Sequence, residues 1–408
     1  MTEWSKRSLN EACVILNGGT PKTKVKEYWG GDIQWLTPKD MGQVDEPRIK
    51  STSRTITKLG LEKSSAKLIR ENSVILSTRA PIGHLVINEV PMTTNQGCRG
   101  LVPSDELDVQ FLYYFLLSNV DLLNSLGTGT TFKELSSRNL GSVEIPLPPL
   151  PEQKRIVAIL DQAFEAIDQA QANIERNIKN AEELFQSKLN EVFGQSGEGW
   201  EEKTLIELTD KIGSGATPRG GQASYKDSGI SLIRSMNVHD EGFRKKKLAF
   251  IDEEQAAKLN NVTVENGDVL LNITGASVAR CCVMESEILP ARVNQHVSII
   301  RPKKGRINSQ FLHYALTCQE NKKKLLGIGE QGATRQAITK AQIQTFKISF
   351  PKSIEAQERI IIEINETRKM TGRIVDILSQ KIASTEELKK SILQKAFSGE
   401  LTEKEVVV

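Results

Sequence analysis

The residues of this chain that could carry out chemistry are few, and their spacing argues against most of it. The five cysteines, Cys13, Cys98, Cys281, Cys282 and Cys318, form no CxxC pair. None of the four histidines (His84, His239, His296, His313) has a metal-ligating residue type three or four positions further on. This pattern predicts neither a zinc site nor a disulfide framework, and it predicts reduced thiols in the cytoplasm. Adenine chemistry would call for an Asn-Pro-Pro-aromatic or Asp-Pro-Pro-aromatic tetrapeptide, and the sequence has neither. A nucleotide motor would call for a GxxxxGK[ST] loop, which is also missing. Gly327-Ile328-Gly329-Glu330-Gln331-Gly332 does fit GxGxxG, but it follows a lysine-rich segment instead of a strand. Its repeat partner, Gly127-Thr128-Gly129, lacks the third glycine, so both read as loops. The paired carboxylates Glu182-Glu183 and Glu386-Glu387 read as solvated helix faces. No catalytic residue and no metal ligand is expected.

What remains is binding chemistry. Arginine and lysine can fork onto guanine, and asparagine and glutamine onto adenine, in the major groove. Such residues stand just past strand-like runs, where a scaffold would hold them at a surface. In the first half they are Lys39, Arg79, Thr131 and Lys133; in the second they are Arg234, Asn237, Asn272, Arg335 and Gln336. Lys245 and Lys246 belong to a basic run, Arg244 to Lys247, that has no counterpart in the first half. With Arg301 to Arg306 and Lys322 to Lys324, this run is a candidate for positioning on phosphates. Asn95-Gln96 and Asn294-Gln295 occur in both halves, which suits backbone structure or a shared phosphate contact better than sequence reading. Trp4, Trp29, Trp35 and Trp200 read as core. The net charge of +3, from 54 basic and 51 acidic residues, is too small to hold nucleic acid by charge alone.

The elements that must position these residues come in duplicate. Trp4 and Trp200 stand 196 residues apart, and Phe193 and Phe397 stand 204 apart. Between them, Gly19-Thr20-Pro21-Lys22 matches Ala216-Thr217-Pro218-Arg219, and Phe111-Leu112-Tyr113-Tyr114 matches Phe311-Leu312-His313-Tyr314. Gln153-Lys154-Arg155-Ile156 matches Gln357-Glu358-Arg359-Ile360. A period of half the chain indicates a duplicated module and not a solenoid. The first part of each module mixes short strands (Val74-Ile75-Leu76 and Val269-Leu270-Leu271 among them) with the helical runs Gln110 to Ser118 and Gln310 to Thr317. That is an α+β globule.

The second part of each module is a long helix. From Glu152 to Phe193 there is no glycine or proline. Ile156, Leu160, Ala163, Ile167, Ala170, Ile174, Ile178, Ala181, Leu184/Phe185, Leu189 and Val192 recur at the coiled-coil period. In the second copy the stripe runs through Ile360, Ile364, Thr367, Ile374, Ile377/Leu378, Lys381/Ile382, Leu388 and Ile392, broken only by Gly372. Two such stripes in one chain predict an antiparallel pair. The expected domains are a globule over 1–150, a spacer helix over 151–195, a globule over 196–352 and a second spacer helix over 353–400. No apolar run reaches the ~18 residues of a membrane helix, and the opening segment MTEWSKRSLNEACVIL predicts no secretory leader.

The run Ile145 to Ile156, IPLPPLPEQKRI, resembles the start of the conserved helix in specificity subunits of type I restriction–modification enzymes. ISFPKSIEAQERI holds the same place in the second half, with Lys352 to Ile354 replacing the proline-rich sequence. Gly18-Gly19-Thr20-Pro21 and Gly127 to Thr131 also look like family signatures. The resemblance implies two target-recognition domains in pseudo-two-fold arrangement, separated by two long helices forming an antiparallel coiled coil. It implies a non-catalytic chain that reads a bipartite, asymmetric site in double-stranded DNA. Two adenine-methyltransferase subunits and restriction/translocase subunits would be its partners. S-adenosylmethionine, ATP and Mg would reside on those partners, with no cofactor on this chain. Gln153, Arg155, Gln357 and Arg359 are candidates for subunit docking. The rival readings are a coiled-coil scaffold that binds only proteins and a self-sufficient DNA-modifying enzyme.

Overall fold

The run Val74-Ile75-Leu76 is apolar at every position, which suits a strand buried on both faces. In the computed structural model, Val74 and Leu76 turn to one core and Ile75 to another. The second copy behaves alike: Val269 and Leu271 face one core, and Leu270 faces the other. Each globule is therefore a sheet with a core on either side. The structure describes residues 4–44, 46–79, 81–129, 133–194, 199–330 and 336–402.

The chain divides into two units, one formed by Met1–Ile174 with Gln380–Val408 and the other by Glu175–Ser379. In the first unit, five strands run in the order Cys13–Asn17, Cys98–Pro103, Val74–Thr78, Ile82–Asn88, Arg48–Ile49. In the second, four run in the order Thr209–Ser214, Val297–Pro302, Val269–Asn272, Cys281–Val283. A three-stranded sheet accompanies each, centred on Trp29–Leu36 and on Ile230–Ile233 respectively. Both centres pair in parallel with a strand that leads into the Asn-Gln turn. The helices Val109–Ser118 and Ser309–Thr317 bury Phe111 and Leu112, and Phe311 and Leu312, against the main sheets. Both are N-capped, by Asp108 and Asn308.

Two 45-residue helices, Leu150–Gly194 and Ile354–Ser398, each contribute one part to each unit. The second runs unbroken through Gly372. In the first unit, Lys389 pairs with Asp168 at 2.6 Å, and Gln171 donates to Thr385 at 2.8 Å. In the second unit, Lys188 pairs with Glu363 at 2.6 Å. In the first unit Asp168 meets Lys389 while the later Gln171 meets the earlier Thr385, so the pairing there is antiparallel.

The seam departs from the apolar stripe in places. Ile156, Leu160, Ile167, Ala181 and Leu189 are buried as expected, while Ala170 and Leu184 are exposed. In the second helix Ile374, Ile377 and Leu388 are exposed, and the less exposed positions are Thr371, Val375, Leu378, Ile382, Thr385 and Lys389. A threonine methyl and a lysine stem are apolar enough to line a partly solvated seam. Among the described residues, no helix is long and apolar enough to cross a membrane.

Candidate nucleic-acid interface

The same backbone wiring gathers the same loops in both units. In the first, Thr78 N donates to Gly97 O at 2.7 Å and Leu135 N donates to Thr78 O at 3.0 Å. In the second, Ile273 N donates to His296 O at 3.0 Å and Ile338 N donates to Ile273 O at 2.8 Å. The loop after the central strand is thereby tied to the Asn-Gln turn on one side and to residues 133–135 or 336–338 on the other. Bridges Arg79↔Glu134 and Thr274↔Ala337 extend the match by one residue. Asn95 Oδ1 accepts from Gly97 N, and Asn294 Oδ1 from His296 N, each at 3.0 Å. Thr20 and Thr217 donate to Gln96 and Gln295. The repeated Asn-Gln pairs thus build the turn.

On this shared frame the side chains differ. In the first unit, Arg79 is exposed and pairs with Glu134 at 2.6 Å. Arg99, only 8% exposed, stands behind it, donating to Ser137 Oγ and Gln96 O at 3.0 Å. Burial lowers the Arg99 pKa, and the charge of Glu134 opposes that shift. Lys133 is exposed on the same loop. Lys39 is exposed on the short helix Pro38–Met41, whose cap Thr37 exchanges hydrogen bonds with Asp40. Burial pushes the Asp40 carboxyl up, but hydrogen bonds from Ser53 and Thr37 outweigh it and hold the carboxyl below its usual range. Pro38 approaches Gly97, which brings Lys39 to the same group of loops.

In the second unit, Arg234 donates to Lys247 O and lies 5.3 Å from the Tyr225 ring. Gln336 is exposed, and its carbonyl accepts from Gly275 N at 3.0 Å. Lys245 and Lys246 are exposed, with Lys245 paired to Glu287 at 2.6 Å. Two expectations are corrected here. Asn237 is buried and donates to Arg244 O and Lys246 O, so it holds the basic hairpin and has no amide left for a base. Asn272 is also buried and donates to Ser235 O at 2.8 Å. Thr131 and Arg335 lie outside the described residues.

Other basic runs are engaged within the fold. Arg301 pairs with Asp268 and Glu265, Arg306 with Glu201, Lys322 with Asp240 and Lys324 with Glu320. Gly327 and Gly329 sit inside the helix Gln319–Glu330 and not in a loop. All five thiols are buried, and burial pushes those of Cys13, Cys98 and Cys282 up to about 12. Among the described residues, no group of three or more His, Cys, Asp or Glu side chains is placed to hold a metal ion.

The docking candidates divide as well. Gln153 is fully buried: its Oε1 accepts from Asp108 N, and its Nε2 donates to Glu106 O and Pro148 O, all at 2.8 Å. Gln357 repeats this with Asn308 N, Arg306 O and Pro351 O. These glutamines latch each long helix to its own globule and are closed to an external partner. Arg155 is half-buried and Arg359 exposed.

A family model described as the type I restriction modification DNA specificity domain matches residues 1–180 and again 197–396. The chain belongs to this specificity family. A relative, the type I restriction enzyme MjaIX specificity subunit of Methanocaldococcus jannaschii, is 32% identical over 248 residues, 57% of this chain and 57% of its own length. The chain therefore spans just over half of that relative. Two solved structures share the fold at 22% identity. A chain from a type I restriction–modification system, studied for complex assembly and conformational transition, superposes with a TM-score of 0.77 over 98% of this chain and 99% of that one. The HsdS subunit from Thermoanaerobacter tengcongensis gives 0.58 over 98% of both.

Sequence reading did not single out Arg280 and Ser277, which lie beside the exposed Met236. Together with His296 and Thr274 they line one cavity in the second unit. The available signal was the loop itself: Thr274 to Arg280 reads TGASVAR where the first half has RAPIGH, Arg79 to His84.

Proposed function

We propose that the chain is the DNA-reading subunit of a type I restriction–modification complex, with each unit reading one half of a bipartite, asymmetric site. The observation that carries this reading is the duplicated loop frame with unlike side chains. Arg79, Gly97 and Glu134 in one unit stand where Thr274, His296 and Ala337 stand in the other. An identical pair of units would read a palindrome, whereas a diverged pair suits two different half-sites. Arginine and lysine at the loop tips supply groove and phosphate contacts. The chain itself is non-catalytic in this reading. Two adenine-methyltransferase subunits bring S-adenosylmethionine, the restriction/translocase subunits bring ATP and Mg, and the target adenine is flipped into a partner's pocket. The experiment is a map of methylated adenines in cells carrying the cognate methyltransferase, with and without this chain. A split, asymmetric motif that depends on the chain is the expected result. No new methylation, with the partner expressed and bound, would reject the reading in favour of a protein-only scaffold.

A further inference from the structure

A cavity of about 420 Å³ opens on the loop face of the second unit, lined by Met236, Thr274, Ser277, Arg280 and His296 among others. A row of hydrogen bonds leads to its edge. Thr217 donates to Gln295 Oε1. The Gln295 amide nitrogen lies 3.2 Å from His296 Nε2, and His296 Nδ1 lies 2.5 Å from Thr274 Oγ1. An amide nitrogen only donates, so the neutral imidazole accepts at Nε2 and carries its proton on Nδ1 toward Thr274. The proton of Thr274 Oγ1 is then left to face a ligand. The first unit has the Thr20–Gln96 bond but glycine at position 97, so this row exists in the second unit alone.

Arg280 is half-buried at the cavity wall, and among the described residues its guanidinium has no ion pair or hydrogen bond. Strand register fixes what it replaces. Leu271 pairs with Cys281 as Leu76 pairs with Leu85, so Arg280 occupies the place of His84. The residue before it, Ala279, holds φ at 65° where Gly83 holds 112°. A left-handed alanine is a strained way to enter a strand, and the surrounding packing must hold it there. The first unit brings its own guanidinium, Arg79, to the corresponding loop from five positions before His84, and pairs it with Glu134.

We propose that Arg280 is the base-reading arginine of the second unit, recognising a guanine edge in the major groove, with His296 and Thr274 positioning the neighbouring contact. This rests on the DNA-reading function above. A half-buried guanidinium with no carboxylate partner among the described residues keeps both ends of its fork for guanine O6 and N7. A phosphate contact would make the same residue a positioning group with no sequence preference.

The test uses the full chain assembled with its methyltransferase subunits and a randomised duplex library, comparing wild type, Arg280→Ala and Arg280→Lys. Wild type selects a split motif. Arg280→Ala is expected to relax one G·C pair in one half-site, roughly 5- to 150-fold, and to leave the other half-site unchanged. Arg280→Lys, which keeps the charge but replaces the rigid planar fork with a single flexible ammonium, relaxes the same pair. If Arg280→Ala weakens all sequences evenly and lowers the salt slope by about one, Arg280 is a phosphate contact and the inference is overturned. An unchanged motif in both variants overturns it too. Should Arg280→Ala blur the whole second half-site, Arg280→Lys decides: relaxation at one pair supports the inference, and a wild-type motif rejects it. A wild-type complex without any sequence preference would instead defeat the DNA-reading function itself.

Discussion

At the scale of single residues, the duplication separates what the frame needs from what a site can vary. Gln153 and Gln357 are kept because each satisfies three backbone groups at a helix–globule junction, and an unpaired buried group costs about 1–3 kcal/mol. Their repetition was legible in the sequence; their burial was not, because a glutamine on a helix start reads equally well as a surface group. Asn237 and Asn272 misled for the same reason. His313 shows the converse, a variable residue put to structural use. It stands at the register position of Tyr113, is buried, and sets Nε2 3.1 Å from Cys281 O and Nδ1 3.2 Å from the Gln310 amide. Burial lowers its pKa to about 4, with the Asp240 carboxylate opposing the shift. The folded state therefore resists a proton that the unfolded chain accepts below about 6.5. Stability from this group is complete above that pH and is lost as pH falls toward 4. Between pH 7 and pH 4.5 the loss is roughly 2 kcal/mol. Urea unfolding of wild type and His313→Gln at both pH values checks this: the variant should lose less stability on acidification, by that amount. Equal losses would mean that His313 is not buried neutral.

At the scale of elements, the helices were the most legible part and their seam the least. A 3–4 spacing survives noise because it repeats many times. It placed Ile156, Leu160, Ile167 and Ile364 correctly, all of them buried. It failed at Ile374 and Ile377, 38% and 55% exposed, because apolarity alone cannot tell a seam from a second apolar face. Short strands were found from their β-branched runs, whereas loop convergence was invisible because it depends on backbone bonds between distant segments. The seam assignment predicts a contrast within one helix. Ile364→Ala should destabilise by about 2–5 kcal/mol, the cost of emptying a closed site. Ile377→Ala should stay within about 0.5 kcal/mol of wild type, as surface substitutions do. Thermal unfolding of the two variants reads this directly, and equal effects would refute the seam.

At the scale of the whole molecule, each long helix belongs partly to one unit and partly to the other, passing between them near residues 174–175 and 379–380. Along the helices the core clusters reach no nearer to those points than Phe164 and Ile392 in one unit and Phe185 and Ile364 in the other, so length can be added there outside both cores. A heptad preserves the facing of a 3.5-residue seam, and adds roughly 10 Å of helix. Inserting seven residues at both crossing points should therefore keep both units folded and both half-sites unchanged. If the helices set the distance between the reading faces, the unread spacer should lengthen by about three base pairs, at roughly 3.4 Å each. Methylation mapping with the extended chain gives the spacer and the half-sites in one measurement. A changed half-site would show that the units are coupled through the helices, and an unchanged spacer would show that something other than helix length sets the distance. An insertion of four residues in one helix alone turns its seam by about 40° relative to its partner at ~100° per residue, and should cost stability where the matched heptads do not.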